Sequence, residues 1–165
     1  MLVSITEKGK QQALQAGELL KEDSFDAIFV SDMVRTQQTA KAIFGEDTEF
    51  TFDTRLREHI ASLTPNTQYI YGKMPQDEWI KLRLEWFTDG ESYSNQIERI
   101  RNFLIELSTK DYKKVAIVTH GGCMRSLYTI AWTHTIGESI IMERKDNCGV
   151  VRANLSPDWK LEILE

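Results

Sequence analysis

The sequence predicts an α/β fold with three layers, in which a mostly parallel central sheet is flanked by helices. Short apolar runs alternate along the chain with longer segments of helical periodicity, as in proteins built from strand and helix units. One run, residues 115–119, is apolar up to its last residue, which is typical of a parallel strand buried on both faces. With 165 residues the chain has the length of one domain, and we expect residues 1–165 to form it.

The first element is a helix whose start allows two interpretations. Thr6 can cap it, with Glu7 placed favourably for the helix dipole, or Ser4 and Glu7 can form a capping box. Its buried face is marked by Ala13, Ala16 and Leu20.

A strand and a second helix follow. Residues 27–30 are apolar, and Ser31 or Asp32 is expected to cap a helix that continues to Ile43 and carries Arg35 in its first turn. Residues 49–54 alternate between polar and apolar positions and predict another strand, directly followed by residues 56–58.

The middle of the chain, residues 61–90, is the expected place for a variable insertion or lid. It contains at least one helix, marked by Trp79, Leu82 and Trp86 at helical spacing. Its aromatic side chains are expected to belong to the core rather than to contact a ligand.

The second half begins with a strongly amphipathic helix after Ser92. Its apolar stripe consists of Ile97, Ile100, Leu104 and Leu107. The predicted order is then a strand at 115–119, a helix at 124–133 and strands at 140–142 and 149–153. A last strand is indicated by the alternation of Trp159, Leu161 and Ile163.

The net charge of -5 and the pI of about 5.3 argue against nucleic acid and anionic membranes as partners, since both favour a basic surface. An anionic substrate would therefore need a local cluster of positive groups. The two cysteines, Cys123 and Cys148, are too few for a disulfide framework and are expected to be free thiols. No run approaches ~20 apolar residues and no signal segment is visible, so a cytoplasmic protein is expected.

The most informative segment is residues 115–125, where an apolar strand ends on His120, Gly121 and Gly122 follow, and a helix with Arg125 in its first turn begins. This order places an imidazole at the carboxyl end of a buried strand, opposite a helix N-terminus that favours phosphate. Arg35 has the same position after the earlier strand, and a guanidinium binds phosphate oxygens through two parallel hydrogen bonds. Taken alone, however, His120 also fits the pattern of a structural histidine, and Arg35 that of a surface arginine.

Four further residues have side chains that could act as catalytic groups. Glu58 is a candidate acid–base group, although a glutamate just past a strand is usually a solvated charge. His59 and His134 have no supporting context and are interpreted as structural. Cys123 lies near a helix start, which can lower a thiol pKa, but nothing else in the sequence indicates a cysteine enzyme.

Together these segments resemble the histidine phosphatase superfamily, the phosphoglycerate-mutase-like family. The matching segments are Ile5-Thr6-Glu7-Lys8-Gly9 through Ala13, Ser31-Asp32-Met33-Val34-Arg35-Thr36-Gln37-Gln38-Thr39-Ala40, Leu56-Arg57-Glu58 and Val118-Thr119-His120-Gly121-Gly122, in the family's order. The resemblance implies a phosphoglycerate-mutase-like fold and a phosphatase or phosphoryl-shifting enzyme that needs no metal and no cofactor. Its partner would be a phosphorylated small molecule.

The resemblance also implies roles for individual residues. Arg35, His120 and Gly121 would hold the phosphoryl group, His120 would stabilise charge in the transition state, and Glu58 would donate a proton to the leaving oxygen. The family's nucleophile is a histidine that becomes phosphorylated. A phosphatase is favoured over a mutase because the chain is short.

That nucleophile belongs to an Arg-His-Gly motif at the end of a first, central strand, and no Arg-His-Gly occurs in this chain. We therefore expect this strand to be missing, through a wrong start or fragmentation, through loss from the gene, or in a genuine short protein rearranged by pairing with a second copy. Two other functions stay open: a catalytically inactive protein that binds phosphorylated ligands, and an unrelated nucleotide-binding domain. The latter ranks lowest because neither G-x-G-x-x-G nor G-x-x-x-x-G-K-[ST] is present.

Overall fold

A computed structural model describes residues 4–58, 91–132, 147–158 and 160–164 of the chain. The helices are α1 (Glu7–Leu20), α2 (Val34–Phe44), α3 (Tyr93–Ser108) and α4 (Gly121–Trp132), with a 3-10 turn at Thr54–Leu56. The strands are β1 (Ala27–Val30), β2 (Thr51–Phe52), β3 (Val115–Val118), β4 (Arg152–Leu155) and β5 (Leu161–Leu164). The predicted alternation of strands and helices is confirmed.

The strands form a parallel sheet and a separate hairpin. In the sheet the order is β2-β1-β3, all parallel, with Val30 opposite Val118. β4 and β5 pair only with each other, antiparallel, among the strands that the structure describes. Because β1 and β3 run in the same direction, their carboxyl ends meet at one edge, as the sequence predicted.

Helices cover both faces of the sheet. Side chains alternate between faces along a strand, and Phe29 and Ile117, which are paired across β1 and β3, both pack on a buried cluster from α3 and α4. Members of that cluster include Ile100, Phe103, Leu104, Leu107 and Cys123. Helices α1 and α2 pack on each other, and α2 contacts β1 and β3. The three-layer α/β architecture follows from this arrangement.

The apolar stripes and the cap of the first helix agree with the sequence analysis. The Thr6 hydroxyl accepts a hydrogen bond from Gly9 N, so Thr6 is the N-cap of α1 and the alternative capping box is wrong. Ser92 caps α3 by accepting from Asn95 N. Of the predicted inner residues of these helices, Leu20 is only half-buried. The others are buried: Ala13, Ala16, Ile97, Ile100, Leu104 and Leu107.

The start of α2 differs from the prediction. Met33 occupies the N-cap position and provides no side-chain cap, whereas Ser31 or Asp32 was expected there. Both polar side chains have other partners: Ser31 is hydrogen-bonded to His120, and Asp32 is ion-paired with Arg57. Long-range contacts at the strand end thus override the local preference for capping.

Other boundaries also move. Helix α4 begins at Gly121 rather than at Met124, because Met124 N already donates to His120 O, and Arg125 consequently lies beyond the first turn. The strand predicted at 49–54 is reduced to two residues, because the Asp53 carboxylate accepts from Arg55 N and starts the 3-10 turn. The strand predicted at 149–153 begins at Arg152.

Parts of the predicted secondary structure lie outside the described residues, namely the insertion at 61–90 with its helix, the strand at 140–142, and Trp159. Among the helices that the structure describes, none is long and apolar enough to cross a membrane.

Candidate functional site

A cavity of about 1240 Å³ runs along β3 and reaches the carboxyl ends of β1 and β3. Four residues singled out in the sequence line it: Arg35, Glu58, His120 and Gly121. They come from three separate segments of the chain, each of which follows a strand. The fold therefore brings together the candidate residues at the edge of the sheet where parallel α/β proteins bind ligands.

His120 is held in a defined position and is uncharged at neutral pH. Its side chain is almost fully buried, and its Nε2 lies 2.9 Å from the Oγ of Ser31, which is itself completely buried. Burial and then the positive charge of Arg35 lower the pKa of His120 to about 4, while the negative charge of Glu58 opposes this shift. The residue therefore offers a neutral imidazole to the cavity.

Two of the three arginines in the cavity wall, Arg35 and Arg125, have no ion-pair partner among the described residues. The third, Arg152, is ion-paired with Asp23, and Arg55, Arg57 and Arg99 outside the cavity are also ion-paired with carboxylates. No such pair involves Arg35 or Arg125 within the described residues, and the buried Nε of Arg125 has no hydrogen-bond partner there. The cavity thus contains guanidinium groups whose charge is not neutralised by a bound carboxylate.

Glu58 contacts the N-terminus of α4. Its Oε2 accepts a long hydrogen bond of 3.3 Å from Gly122 N. A Cβ at position 122 would lie 2.0 Å from Glu58 Oε1, whereas a Cβ at Gly121 would meet no atom within 4 Å. The absence of a side chain at Gly122 therefore leaves space for the Glu58 carboxylate, whereas Gly121 borders open space.

The turn that carries Glu58 is fixed by an arginine clamp, formed by the partly buried Arg99. Arg99 on α3 donates from Nη1 to the carbonyl of Arg55 and from Nη2 to that of Arg57, the latter at 2.8 Å. Two further bonds, at 2.5 and 2.7 Å, join its guanidinium to the Glu91 carboxylate. This arrangement holds the backbone just before Glu58 against α3.

A second connection joins the same turn to the end of β1. Arg57 donates from Nε and Nη2 to the two carboxylate oxygens of Asp32, at 2.7 and 2.5 Å. The hydrogen bond with Arg57 holds the pKa of Asp32 below its usual range. Since Ser31 next to Asp32 contacts His120, the strand end links the histidine to the segment that carries Glu58.

The remaining candidates do not add a reactive group. Burial raises the pKa of the Cys123 thiol, so the suggestion of a lowered pKa at this helix start is wrong. His59 and His134 lie outside the described residues. Within the described part of the chain there is no group of three or more His, Cys, Asp or Glu side chains that could hold a metal ion.

Three contributors to the site were not predicted from the sequence. Ser31 was interpreted as a helix cap, and neither Arg99 nor the steric need for Gly122 was foreseen. Their partners are 89, 42 and 64 residues away in the chain, respectively. Only the run of polar residues after β1 gave a local signal that this strand end belongs to the site.

Comparison with known proteins identifies relatives over almost the whole chain. The Histidine phosphatase superfamily (branch 1) profile matches residues 3–161. The probable phosphoglycerate mutase GpmB of Citrobacter koseri is 29% identical over 183 residues, which cover 96% of this chain and 79% of that protein.

Solved structures with the same fold are more distant in sequence. Bacillus stearothermophilus YhfR superposes with a TM-score of 0.80 at 21% identity and covers 96% of this chain, which spans 82% of YhfR. A mycobacterial glucosyl-3-phosphoglycerate phosphatase superposes with a TM-score of 0.76 at 20% identity, covering 99% of this chain and 86% of its own. These similarities establish a phosphoglycerate-mutase-like α/β fold.

Proposed function

The chain belongs to the histidine phosphatase superfamily, and on that premise we propose that its cavity is the phosphoryl site of a phosphomonoester phosphatase acting on a small molecule. The observation that carries this proposal is the pair of cavity arginines, Arg35 and Arg125, which have no carboxylate partner among the described residues. Leaving cationic groups unpaired in a protein wall is costly unless an anion occupies the site.

The cavity residues suit a phosphoryl dianion. Arg35 can bind two of its oxygens through the parallel N–H groups of the guanidinium. The N-terminus of α4 at Gly121 adds backbone N–H groups and the positive end of the helix dipole. His120 is neutral and buried beside Arg35. It therefore adds a hydrogen bond to the phosphoryl group that water does not compete for.

In the proposed reaction a histidine nitrogen attacks phosphorus, and the N–P bond forms as the ester P–O bond breaks. Glu58 gives its proton to the departing alkoxide. Water then attacks phosphorus, the N–P bond breaks, and the water proton returns to Glu58 as inorganic phosphate leaves. Throughout both steps Arg35, Arg125 and His120 stabilise the charge on the phosphoryl oxygens.

The nucleophile of this reaction is not among the residues we assign to the cavity. His120 is the single histidine in the described residues, and its Nε2 is engaged by Ser31. We assign the nucleophile to an Arg-His-Gly segment that residues 1–165 do not contain. Residues 1–165 alone are then expected to bind phosphate esters without hydrolysing them.

Relatives support phosphomonoester chemistry but differ in the substrates that their names give. One is called a probable phosphoglycerate mutase and another a glucosyl-3-phosphoglycerate phosphatase. We favour a phosphatase over a mutase, as the sequence analysis did. The two thiols, Cys123 and Cys148, are free, which fits the reducing cytoplasm we propose as its location.

Titration with inorganic phosphate tests the binding part of the proposal. Residues 1–165 should bind it with a heat signal and a raised unfolding midpoint. Arg35→Ala should weaken binding by about tenfold or more, the effect of one charge-assisted contact. Lys21→Ala removes an equal charge on the exposed surface, where Lys21 pairs with Glu18, and should leave the affinity unchanged. Equal affinities for both variants would contradict the assignment.

The catalytic part is tested on protein isolated from its own cells. Its intact mass is compared with the 19.1 kDa of residues 1–165, and hydrolysis of an aryl phosphate is measured on the same sample. Activity together with a phosphorylated histidine outside residues 1–165 supports the phosphatase. A protein of 19.1 kDa that binds phosphate but leaves the ester intact would instead be a phospho-ligand-binding protein. Turnover by residues 1–165 that His120→Ala abolishes would overturn the assignment of the nucleophile.

A further inference from the structure

Three successive backbone carbonyls, at residues 55–57, lie just before Glu58, where the 3-10 turn ends. Carbonyl groups at the end of a helical turn have no partner within it. Each of these three instead accepts a hydrogen bond from a side chain of another element. Arg99 of α3 donates to the first and the third, and the hydroxyl of Thr119, directly after β3, donates to the second at 2.8 Å. The backbone that leads into Glu58 is therefore fixed by tertiary contacts.

The hydroxyl of Thr119 is committed to the carbonyl of Leu56. Thr119 is half-buried and lines the cavity, so a direct contact with phosphate has to be considered. A hydroxyl has one proton to donate, and a phosphoryl dianion offers only acceptors. While the proton of Thr119 is on Leu56 O, this hydroxyl has nothing to donate to a phosphate oxygen. Its contact with the turn is thus its main polar interaction in the site.

Both partners of this hydrogen bond are held in place. The side chain of Leu56 is buried in the cluster formed by α3 and α4, which fixes the turn from one side. Thr119 is branched at Cβ, which restricts the rotation that would carry its hydroxyl away. The bond therefore joins two fixed groups and transmits the position of one to the other.

The same bond is a short connection between the two reactive side chains of the site. Leu56 is two residues before Glu58, and Thr119 is one residue before His120. The other connection between these segments uses the ion pair of Arg57 with Asp32, whose side chains are 46% and 26% exposed. Solvent weakens an ion pair of this kind. The contact of Thr119 is the shorter and better shielded of the two.

The Glu58 carboxylate depends on this support from its backbone. Its hydrogen bond from Gly122 N is long, at 3.3 Å, and is too weak to set the position of the side chain alone. A proton donor must lie within hydrogen-bond distance of the leaving oxygen, and a displacement of about 1 Å can reduce the rate by up to about a hundredfold.

We propose that Thr119 is a positioning residue, whose hydrogen bond to the carbonyl of Leu56 sets the place of the Glu58 carboxylate relative to His120. Thr119 contacts neither the phosphoryl group nor the leaving oxygen and acts only through Glu58. In its effect on catalysis the proposal rests on the proposed function, in which Glu58 protonates the leaving oxygen.

The first test is made on residues 1–165 and needs no turnover. Gly122 N–H donates to the Glu58 carboxylate, so its NMR amide shift should differ between the parent and Glu58→Gln at pH 7. Thr119→Val keeps the branched shape without the hydroxyl, and in this background the difference should fall to about half or less, because the effect of a charge weakens with distance. Thr119→Ser keeps the hydroxyl and should restore it. An undiminished difference in Thr119→Val would overturn the proposal.

Thr109→Val is the matched control. The Thr109 hydroxyl also donates to a backbone carbonyl, that of Glu106 at 2.7 Å, but at the exposed end of α3. This variant should leave the Gly122 shift difference unchanged. Titration with inorganic phosphate tests direct binding by Thr119, and the affinity of Thr119→Val should stay within about twofold of the parent. A loss of about tenfold or more would mean that the hydroxyl contacts phosphate and would overturn the proposal.

The second test uses the protein isolated from its own cells, with the same substitutions made in its gene. A proton donor is needed for an alkyl phosphate, whose leaving alkoxide is strongly basic, and much less for 4-nitrophenyl phosphate, whose leaving group is stable as an anion. Thr119→Val should lower kcat for the alkyl ester about tenfold or more, with little change for the nitrophenyl ester and in KM. Thr119→Ser should recover the rate. Equal losses on both esters would indicate a general structural defect and overturn the proposal.

The two tests distinguish a failure of this proposal from a failure of the proposed function. A smaller Gly122 shift difference in Thr119→Val, in a protein that hydrolyses neither ester, would support the positioning role and contradict the phosphatase. Hydrolysis by Thr119→Val with the parent's ratio between the two esters would support the phosphatase and overturn the positioning role.

Discussion

The two glycines after His120 provide a matched pair for testing the geometry of the site. Both are in the first turn of α4, and neither has a positive φ, so alanine is compatible with the backbone at both positions. A Cβ at Gly121 meets no atom within 4 Å, but one at Gly122 would lie 2.0 Å from Glu58 Oε1 and 3.1 Å from Gln96 Nε2. Because Gln96 is fully buried, the Glu58 carboxylate is the group that must move.

The magnitudes follow from two opposing effects. Alanine in place of glycine favours a helix by about 0.5–1 kcal/mol, and Gly121→Ala should stabilise the protein by this amount. Gly122→Ala gains the same preference but loses the hydrogen bond from Gly122 N to Glu58, about 1.5–2 kcal/mol for a long bond to a charged group. The two variants should therefore differ by about 2 kcal/mol, or roughly 4–8 °C in the unfolding midpoint.

Urea and thermal unfolding of four proteins measure this difference. They are the two single variants and the same glycine changes made in a Glu58→Ala background. With the carboxylate removed, Gly122→Ala should no longer be destabilising relative to Gly121→Ala, and the coupling energy from the cycle should approach 2 kcal/mol. Equal stabilities of Gly121→Ala and Gly122→Ala in the parent background would refute the position we describe for Glu58.

Three other results are expected from the residues around the site. The pKa of His120 is about 4 in the folded protein and 6.5 when unfolded, so the unfolded state binds a proton first and stability is lost as the pH falls from 6.5 towards 4. The loss in the free energy of unfolding is about 3 kcal/mol. In urea titrations the stability difference between the parent protein and His120→Gln should therefore change from pH 7 to 4.5, and a constant difference would contradict this expectation. Thiol titration with a chromogenic disulfide should modify Cys148 first and Cys123 only as the protein unfolds, because Cys123 is fully buried. The variant Cys148→Ser identifies which thiol reacts, and modification of Cys123 before Cys148 would be evidence against this burial. Arg99→Met should cost about 1–3 kcal/mol in urea unfolding because it leaves the partly buried Glu91 carboxylate without its ion pair, with partial recovery in Arg99→Lys, and a loss below 1 kcal/mol would mean that the clamp is not formed.

The fold could be predicted largely because its signals are local. The stripe on α3 and the apolar run of β3 report burial directly, and both elements were placed within a residue or two of their observed ends. One boundary that was wrong lies where a long-range contact competes with a local one. At the start of α2, Asp32 is used by Arg57, 25 residues away, rather than by the helix backbone.

The site was predictable in its parts but not in its organisation. A histidine and an arginine after two strands of a parallel sheet must meet at one edge, so the meeting of Arg35 and His120 follows from topology. No comparable rule of topology places the groups that orient these two residues. That Arg99 holds the carbonyls of the turn before Glu58 depends on how α3 lies against that turn, and helical periodicity cannot specify this.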